Sequence, residues 1–407
     1  MQNQKKVYII GAGVSGLIAA YELEKKGIKP TIIEQTKEVG GRVKTINHEG
    51  YALDLGFQVL LDAYPLAKKY LDYSELNLKK LQSGALIYAN GKSHLIGDPL
   101  RDIKLLLPTI LADIGSFRDK LRILKLNTLL KNKSITEIFD SPEKTTEQYL
   151  IDFGFSSKII ERFFRPFFAG IFLEPDLRTS SRMFEFVYKM FGQGYATIPK
   201  LGIGEISNQL KSKLKSTDFL FNTKVNRITH DGLTLDSGAT LDHDGVIIAC
   251  HAPNLIDNPN QKDTSWKSCK NLYFKVDITN IPEGTIALIA DSGKLSNNLY
   301  AYKDNATNET ILSVTSLKHQ NHSNQEIINK VTEEVKEYTK ANRVEFIHSF
   351  DIKYALPDIE KLKMTSETQS LKISENVYQA GDHLFNGSLN AAMESGRIAA
   401  QALIKNL

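Results

Sequence analysis

The apolar positions near the start of the chain change period twice. Val7-Tyr8-Ile9-Ile10 is a continuous run of the length and composition of a buried strand. Glycines at 11, 13 and 16 follow it, and Val14, Leu17, Ile18 and Tyr21 then recur at helical spacing. Pro30 to Ile33 returns to a strand-like run and ends in Glu34. This region therefore predicts a strand, a tight turn, a helix and a second strand. Near the other end, Val377 to Ala380 reads as a short strand stopped by Gly381-Asp382, with a helix starting at Gly387-Ser388. Leu389, Ala392, Met393, Gly396, Ala399, Ala400 and Leu403 fall on one face of that helix, where small residues permit close packing. Between these ends, Phe219 to Phe221 and Val225 to Ile228 read as strands. Leu233 to Gly238 reads as a hairpin, and Asp244 to Pro253 as a buried strand ending in proline.

The glycines carry the first chemistry. In the order strand, G-x-G-x-x-G, helix, Gly11 allows the tight turn and Gly13 lets a pyrophosphate reach the backbone. Gly16 lets helix and strand approach closely. The free amides of the helix N-terminus then point at the phosphates. Glu34 lies 18 residues after Gly16 at the end of the second strand, placed for a ribose 2′-hydroxyl. A carboxylate there disfavours a 2′-phosphate, so FAD or NAD is expected rather than NADP.

Gly40-Gly41-Arg42, with Thr45 beyond, resembles the GGR-x-x-T doublet of the flavin amine oxidase, phytoene desaturase and protoporphyrinogen oxidase superfamily. The stretch NVYQAGDHLFNGSLNAAMESGRIAAQALI resembles the C-terminal flavin motif of the same superfamily. Leu53-Asp54-Leu55-Gly56-Phe57-Gln58 resembles its D-x-G segment beside the isoalloxazine. The resemblance implies an α/β fold: a Rossmann-like FAD-binding domain of glutathione-reductase type, joined to an α+β substrate domain with a mixed sheet and helices. The first would comprise residues 1–75, 200–261 and 373–407, the second residues 76–199 and 262–372. It also implies non-covalent FAD. Gly41 would bring backbone to the pyrophosphate and Arg42 a guanidinium, while Asp382 would accept from a ribityl hydroxyl. The amides of Ser388, Leu389 and Asn390 would face the N1/C2 carbonyl edge, where a helix N-terminus stabilises the charge of the reduced ring. Gly56, Phe57 and Gln58 would line the ring, and Ala12, Ser15, Gln35, Val225 and Gly381 complete the implied cofactor contacts.

The substrate is harder to read. Amine oxidases of this superfamily hold the substrate nitrogen between two aromatic rings, one of them just before the C-terminal helix. Here that place reads Asn386-Gly387-Ser388-Leu389-Asn390, without Tyr or Trp. A lysine that such enzymes use to hold a water at flavin N5 has its nearest match in Lys270, but a lysine on a strand edge is more often a solvated charge, and that is the favoured reading here. An amine is therefore disfavoured. Arg162 to Phe172 packs five phenylalanines, resembling the F-x-R-P-F-x-x-G-[VI]-F stretch of carotenoid desaturases and protoporphyrinogen oxidases; Phe164, Phe167, Phe168 and Phe172 are the candidate substrate contacts. The alternative is an aromatic core cluster. No histidine stands out as a catalytic base, and His319 and His322 lack partners at metal-ligand spacing, so no metal is expected. Hydride removal to N5 needs orientation and exclusion of water more than an acid–base pair. The implied reaction is dehydrogenation of a hydrophobic molecule, foremost a carotenoid- or polyprenoid-type polyene, with a quinone or oxygen as final acceptor. A porphyrinogen, an amine, or a redox-neutral isomerisation are the alternatives.

Composition bounds this picture loosely. With 407 residues and 42% apolar content the chain can fill two domains, and 51 basic against 47 acidic residues gives no case for nucleic-acid binding. Two cysteines and no C-x-x-C fit a reducing, cytoplasmic setting. The MQNQKK start leads directly into the first strand, leaving no room for a cleavable signal, and no apolar run is long enough to span a bilayer. Residues 100–133 depart from the even charge balance. Eight basic residues stand there against three acids, while Leu107, Ile110, Leu111, Ile114, Phe117, Leu121 and Leu124 repeat at helical spacing, with Pro108 and Gly115 as expected breaks. Two readings stand: helices lying at a membrane surface, or a buried helical pair with solvated lysines.

Overall fold

The computed structural model describes residues 5–99, 101–229, 232–252, 254–256 and 264–407. Leu100, Pro253 and the expected boundary at residue 261 lie outside the described residues.

Three distant stretches of chain meet in one six-stranded sheet. Its order is Asp218–Leu220, Pro30–Ile33, Val7–Ile10, Gly245–Ile248, Val377–Gln379 and Lys372–Ser374. The first five strands are parallel and the last is antiparallel. Parallel strands covered on both faces must be apolar throughout, which is why VYII, PTII and GVII are continuous runs. Helices Val14–Glu24 and Leu389–Ile404 lie side by side against this sheet. A Cβ on Gly396 would stand 2.2 Å from the Ser15 carbonyl oxygen, so only glycine lets the two helices cross this closely. The Gly381 amide donates to Ser395 Oγ at 2.9 Å and fastens the last parallel strand to the terminal helix.

The second sheet has seven strands, in the order Val344–Pro357, Trp266–Val276, Thr310–Ser316, Ser296–Lys303, Ile286–Ile289, Gly84–Ala89 and Lys92–Gly97. All neighbours are antiparallel except Ile286–Ile289 with Gly84–Ala89, so the sheet is mixed, as expected. Helix Asn324–Thr339 packs Ile327, Val331, Val335 and Tyr338 into the apolar layer beneath this sheet. A helical layer of residues 106–193 joins the two sheets. Its aromatic centre is Phe164, Phe168 and Phe184, each fully buried, with ring centroids of Phe168 and Phe184 at 4.7 Å. Truncating any of them to alanine would cost about 3–5 kcal/mol.

Local differences from the expected elements have simple causes. The C-terminal helix begins at Leu389 because Ser388 caps it, its hydroxyl accepting from the Ala391 amide at 3.0 Å. Pro108 does not break a helix: it sits in the first turn of Leu106–Leu111, where no amide is needed. The break comes after Leu111, around Gly115, and the chain resumes as Phe117–Asn132 behind a reciprocal cap between Ser116 and Asp119.

Candidate functional site

A cavity of about 1260 Å³ runs between the two sheets, with two helix N-termini at its nucleotide end. The first helix contributes Gly13, Val14 and Ser15, and carries no side-chain cap and no acid in its first turn, so its amides face the cavity. The second contributes Gly387, Ser388 and Leu389, with Gly387 at φ +75° turning the chain into the helix. The glycine turn is tight wherever it meets protein and open toward the cavity. A Cβ on Gly16 would stand 2.1 Å from the Gly11 carbonyl oxygen, whereas one on Gly13 would meet nothing within 4 Å. Gly41, at φ +58°, lies against Gly13, and the Gly40 amide donates to the Ala12 carbonyl at 3.0 Å. Sequence-distant glycines thus share one open cradle.

The charges of this end are organised. Glu34 is buried on the cavity wall, accepting from the Ala12 amide at 2.8 Å and from the Thr36 amide and hydroxyl at 2.9 Å each. Arg42 pairs with buried Asp382, donates to the Ala355 carbonyl at 3.3 Å and lies over the Trp266 ring at 5.1 Å. Burial opposes ionisation of Asp382, yet the Arg42 guanidinium holds its carboxyl below the usual range. Burial likewise lowers His383, leaving a neutral imidazole at pH 7. Gln58 donates from Nε2 to the carbonyls of Arg42 and Leu55, at 2.8 Å each, fixing the segment that carries Gly56 and Phe57. Trp266 Nε1 is buried on the same wall without a hydrogen-bond partner, a donor awaiting an acceptor.

The inner end is apolar. One face of helix Arg165–Phe172 presents Phe167, Gly170 and Ile171, and helix Ser181–Gln193 presents Met183, Val187 and Phe191 at intervals of four. Ile286 and Leu288 close the chamber from the mixed sheet, where Asn298 and Thr315 are its polar points. These two belong to a buried ladder in which Asn298 Nδ2 donates to Thr315 Oγ1 at 3.3 Å and Thr315 Oγ1 to Asn271 Oδ1 at 3.2 Å. Cys250 and Cys269 also line the cavity, and burial pushes both thiols up to about 12, so neither is a thiolate nucleophile at neutral pH.

Most of the cofactor residues expected from sequence meet here. Gly11, Gly13, Ser15, Glu34, Gln35, Gly41, Arg42, Gly56, Phe57, Gln58, Gly381, Asp382, Ser388 and Leu389 all line the cavity. Ala12 and Gly16 lie just behind it and shape the turn. Asn390 turns away: its Oδ1 accepts from the Leu66 amide at 3.0 Å, so only its place at the helix start serves the site. Val225 does not reach the cavity, being buried beside Ile10, Ile33 and Val246 in the layer under the parallel sheet. Thr45 is structural, donating to Asp54 at 2.6 Å and accepting from the Gly204 amide at 2.9 Å.

The substrate residues divide. Phe167 and Phe172 line the chamber, whereas Phe164 and Phe168 point into the aromatic core. Helical spacing separates them: Phe164 and Phe168 share the face turned to the core, and Phe167, Gly170 and Ile171 stand on the face turned to the chamber. Lys270 is neither solvated nor in the cavity. Cys269 faces inward, so alternation sends Lys270 to the far side of the sheet, where Nζ donates to Asn324 Oδ1 at 3.0 Å. Sequence reading missed Trp266, His251, Ile286, Leu288, Asn298 and Thr315. For Met183, Val187 and Phe191 the four-residue spacing was a usable signal.

Two helix N-termini, an acid for a ribose, an arginine paired with a buried aspartate and a long cavity fit one bound FAD. Comparison with known proteins agrees. The chain is 30% identical to the mitochondrial protoporphyrinogen oxidase of Nicotiana tabacum over 172 residues, 41% of this chain and 32% of that protein. It thus spans about a third of that relative's length. It is 23% identical to the coproporphyrinogen III oxidase of Bacillus subtilis (strain 168) over 296 residues, 60% of each chain. A solved structure from Exiguobacterium sp. 255-15 superposes over the whole of both chains with a TM-score of 0.73 at 17% identity. The model of the flavin-containing amine oxidoreductase family matches residues 14–404. The cofactor is FAD, and the chain belongs to the flavin-containing amine oxidoreductase family.

Proposed function

We propose that this protein dehydrogenates an uncharged hydrophobic substrate, foremost a carotenoid- or polyprenoid-type polyene, with a quinone or oxygen as final electron acceptor. The supporting observation is the chamber wall. Phe167, Ile171, Met183, Val187, Phe191 and Leu288 surround the inner end, and its polar points are amide and hydroxyl groups rather than charges. A small diamine or amino acid would lose its hydration there without gaining a counter-ion, at a cost of several kcal/mol. A polyene loses nothing on entering. Bound FAD supplies a hydride acceptor at N5. The protein's part is to hold the cofactor by Glu34, Arg42 and the two helix N-termini, and to keep water away from the carbon that reacts.

A second reading, oxidation of a porphyrinogen, is favoured by the similarity to two porphyrinogen oxidases and by Lys144, Arg178 and Lys267 on the cavity wall, which could meet substrate carboxylates. Each already faces an acid: Asp152, Asp176 and Asp358 respectively. Anaerobic titration of the yellow protein with a polyene panel, porphyrinogens and amines separates the readings. Bleaching of the flavin absorbance by a polyene alone is the expected result. Bleaching by porphyrinogens alone would install the second reading, and bleaching by amines would overturn both.

A further inference from the structure

Helix Phe117–Asn132 has two apolar faces where a surface helix needs one. Asp119, Ile123, Leu126 and Leu130 form the inner stripe, with Leu126 and Leu130 fully buried. On the opposite side of the wheel Phe117, Leu121 and Leu124 form a stripe that packs on nothing, with Phe117 71% exposed. The short helix before it extends this face through Leu107, Ile110 and Leu111, none of them buried. Of the fifteen exposed large apolar side chains among the described residues, nine fall between Ile103 and Leu129. Scattered exposure needs no explanation, but this concentration does.

The face is built to stand outward. Asp119 accepts from Ser116 and Ser156 and pins the helix start to the layer beneath, the Ser156 amide at 2.9 Å. Lys120 Nζ donates to the Ile110 carbonyl at 2.5 Å and ties the two helices together. Of the region's cations, Arg101, Arg122 and Lys133 are spent on internal partners. Lys104, Arg118, Lys125 and Lys131 are exposed and form no ion pair among the described residues. On the wheel, Arg118 and Lys125 flank one side of the outer stripe and Lys131 the other. The nearby acid Asp113 is already paired with Lys158 and Arg162. No helix among the described residues is long and apolar enough to cross a membrane.

We infer that this face docks on the surface of an anionic lipid bilayer, its leucines and Phe117 in the headgroup–acyl boundary and its lysines and Arg118 on the phosphates. Apolar stripes flanked by unpaired cations match such a surface in both respects. A second copy of the chain matches poorly, because two-fold pairing would set the same cations against each other. The face also lies one helix from the chamber. Lys189 Nζ donates to the Leu130 carbonyl at 2.7 Å, while Val187 and Phe191 on the same helix line the chamber. Docking therefore sets the apolar chamber beside the phase in which a lipophilic substrate dissolves. The inference does not depend on which substrate that is.

The test is flotation of the FAD-loaded protein with phosphatidylcholine vesicles containing about 30% phosphatidylglycerol. The native protein is expected to float, and less so as salt is raised. The triple variant L107S/L111S/F117S should lower the bound fraction roughly tenfold, and R118E/K125E/K131E should remove the preference for anionic over neutral vesicles. Flavin absorbance and the melting temperature should be unchanged in both variants, since every altered side chain is exposed. Native protein that stays with the soluble fraction, or a serine variant that floats as well as the native one, would overturn the inference. So would concentration-dependent dimerisation, abolished by the serine variant, in protein that ignores vesicles.

Discussion

The two ends of the cavity are built by opposite rules. At the nucleotide end, backbone does most of the binding, and the side chains that matter sit within a few residues of glycines at 11, 13, 40, 41 and 387. At the inner end, side chains do everything and come from two helices and three strands of the mixed sheet, spread from Phe167 to Thr315. The first end is a conformation, which a short sequence can specify. The second is a shape, defined only when distant elements have packed. A change at the first end should therefore remove the cofactor, and a change at the second should spare the cofactor and alter the substrate.

The hardest test of this division is Gly16→Val. Its Cβ would overlap the Gly11 carbonyl, a backbone atom that cannot step aside. The expected outcome is loss of yellow, folded protein, a penalty above about 3 kcal/mol. Recovery of a normally melting, flavin-loaded variant would show that the turn is looser than its geometry says. Next is Ile171→Trp, which fills the chamber from its helix wall. Flavin absorbance and affinity should be unchanged while kcat/KM falls roughly a hundredfold, about 2.7 kcal/mol. Loss of flavin from this variant would mean that the two ends are not separable.

The smallest effect concerns the seam between them. Burial pushes the Asp54 carboxyl up to about 6, against hydrogen bonds from Thr45 and the Ile203 amide. The unfolded chain releases that proton near 3.8, so ionising Asp54 weakens the fold progressively from about pH 4 to about pH 6 and by a constant amount above. Asp54→Asn should raise stability by about 2 kcal/mol at pH 8 and by almost nothing near pH 3.5, as read from urea unfolding. An equal gain at both pH values would assign the effect to packing.

The same division explains what the sequence made legible. Gly11, Arg42, Asp382 and Ser388 could be placed because a turn, a helix start and a strand end each leave a local signature. Phe164 and Phe168 could not be separated from Phe167 by composition, since which face of the helix meets the chamber is decided only when the helix packs. Lys270 and Cys269 are neighbours whose facing depends on which side of the sheet receives helix Asn324–Thr339. Asn298 and Thr315 gave no signal, because neither carries a motif and their partner Asn271 is remote in sequence. For the outward apolar face at Phe117 the sequence supports two readings, membrane surface or buried pair. Periodicity shows that a helix has an apolar stripe but not whether anything covers it.

The crossing of helix Val14–Glu24 over helix Leu389–Ile404 at Gly396 has a consequence for synthesis. The first cofactor-binding turn emerges from the ribosome long before the helix it must lean on, and Val7–Ile10 waits just as long for Gly245–Ile248 and Val377–Gln379 to complete the row beside it. Long-range pairing of this kind is slow and leaves apolar edges uncovered in the meantime. Cofactor loading is therefore expected to follow formation of helix Leu389–Ile404, because the first turn lacks its supporting helix until then.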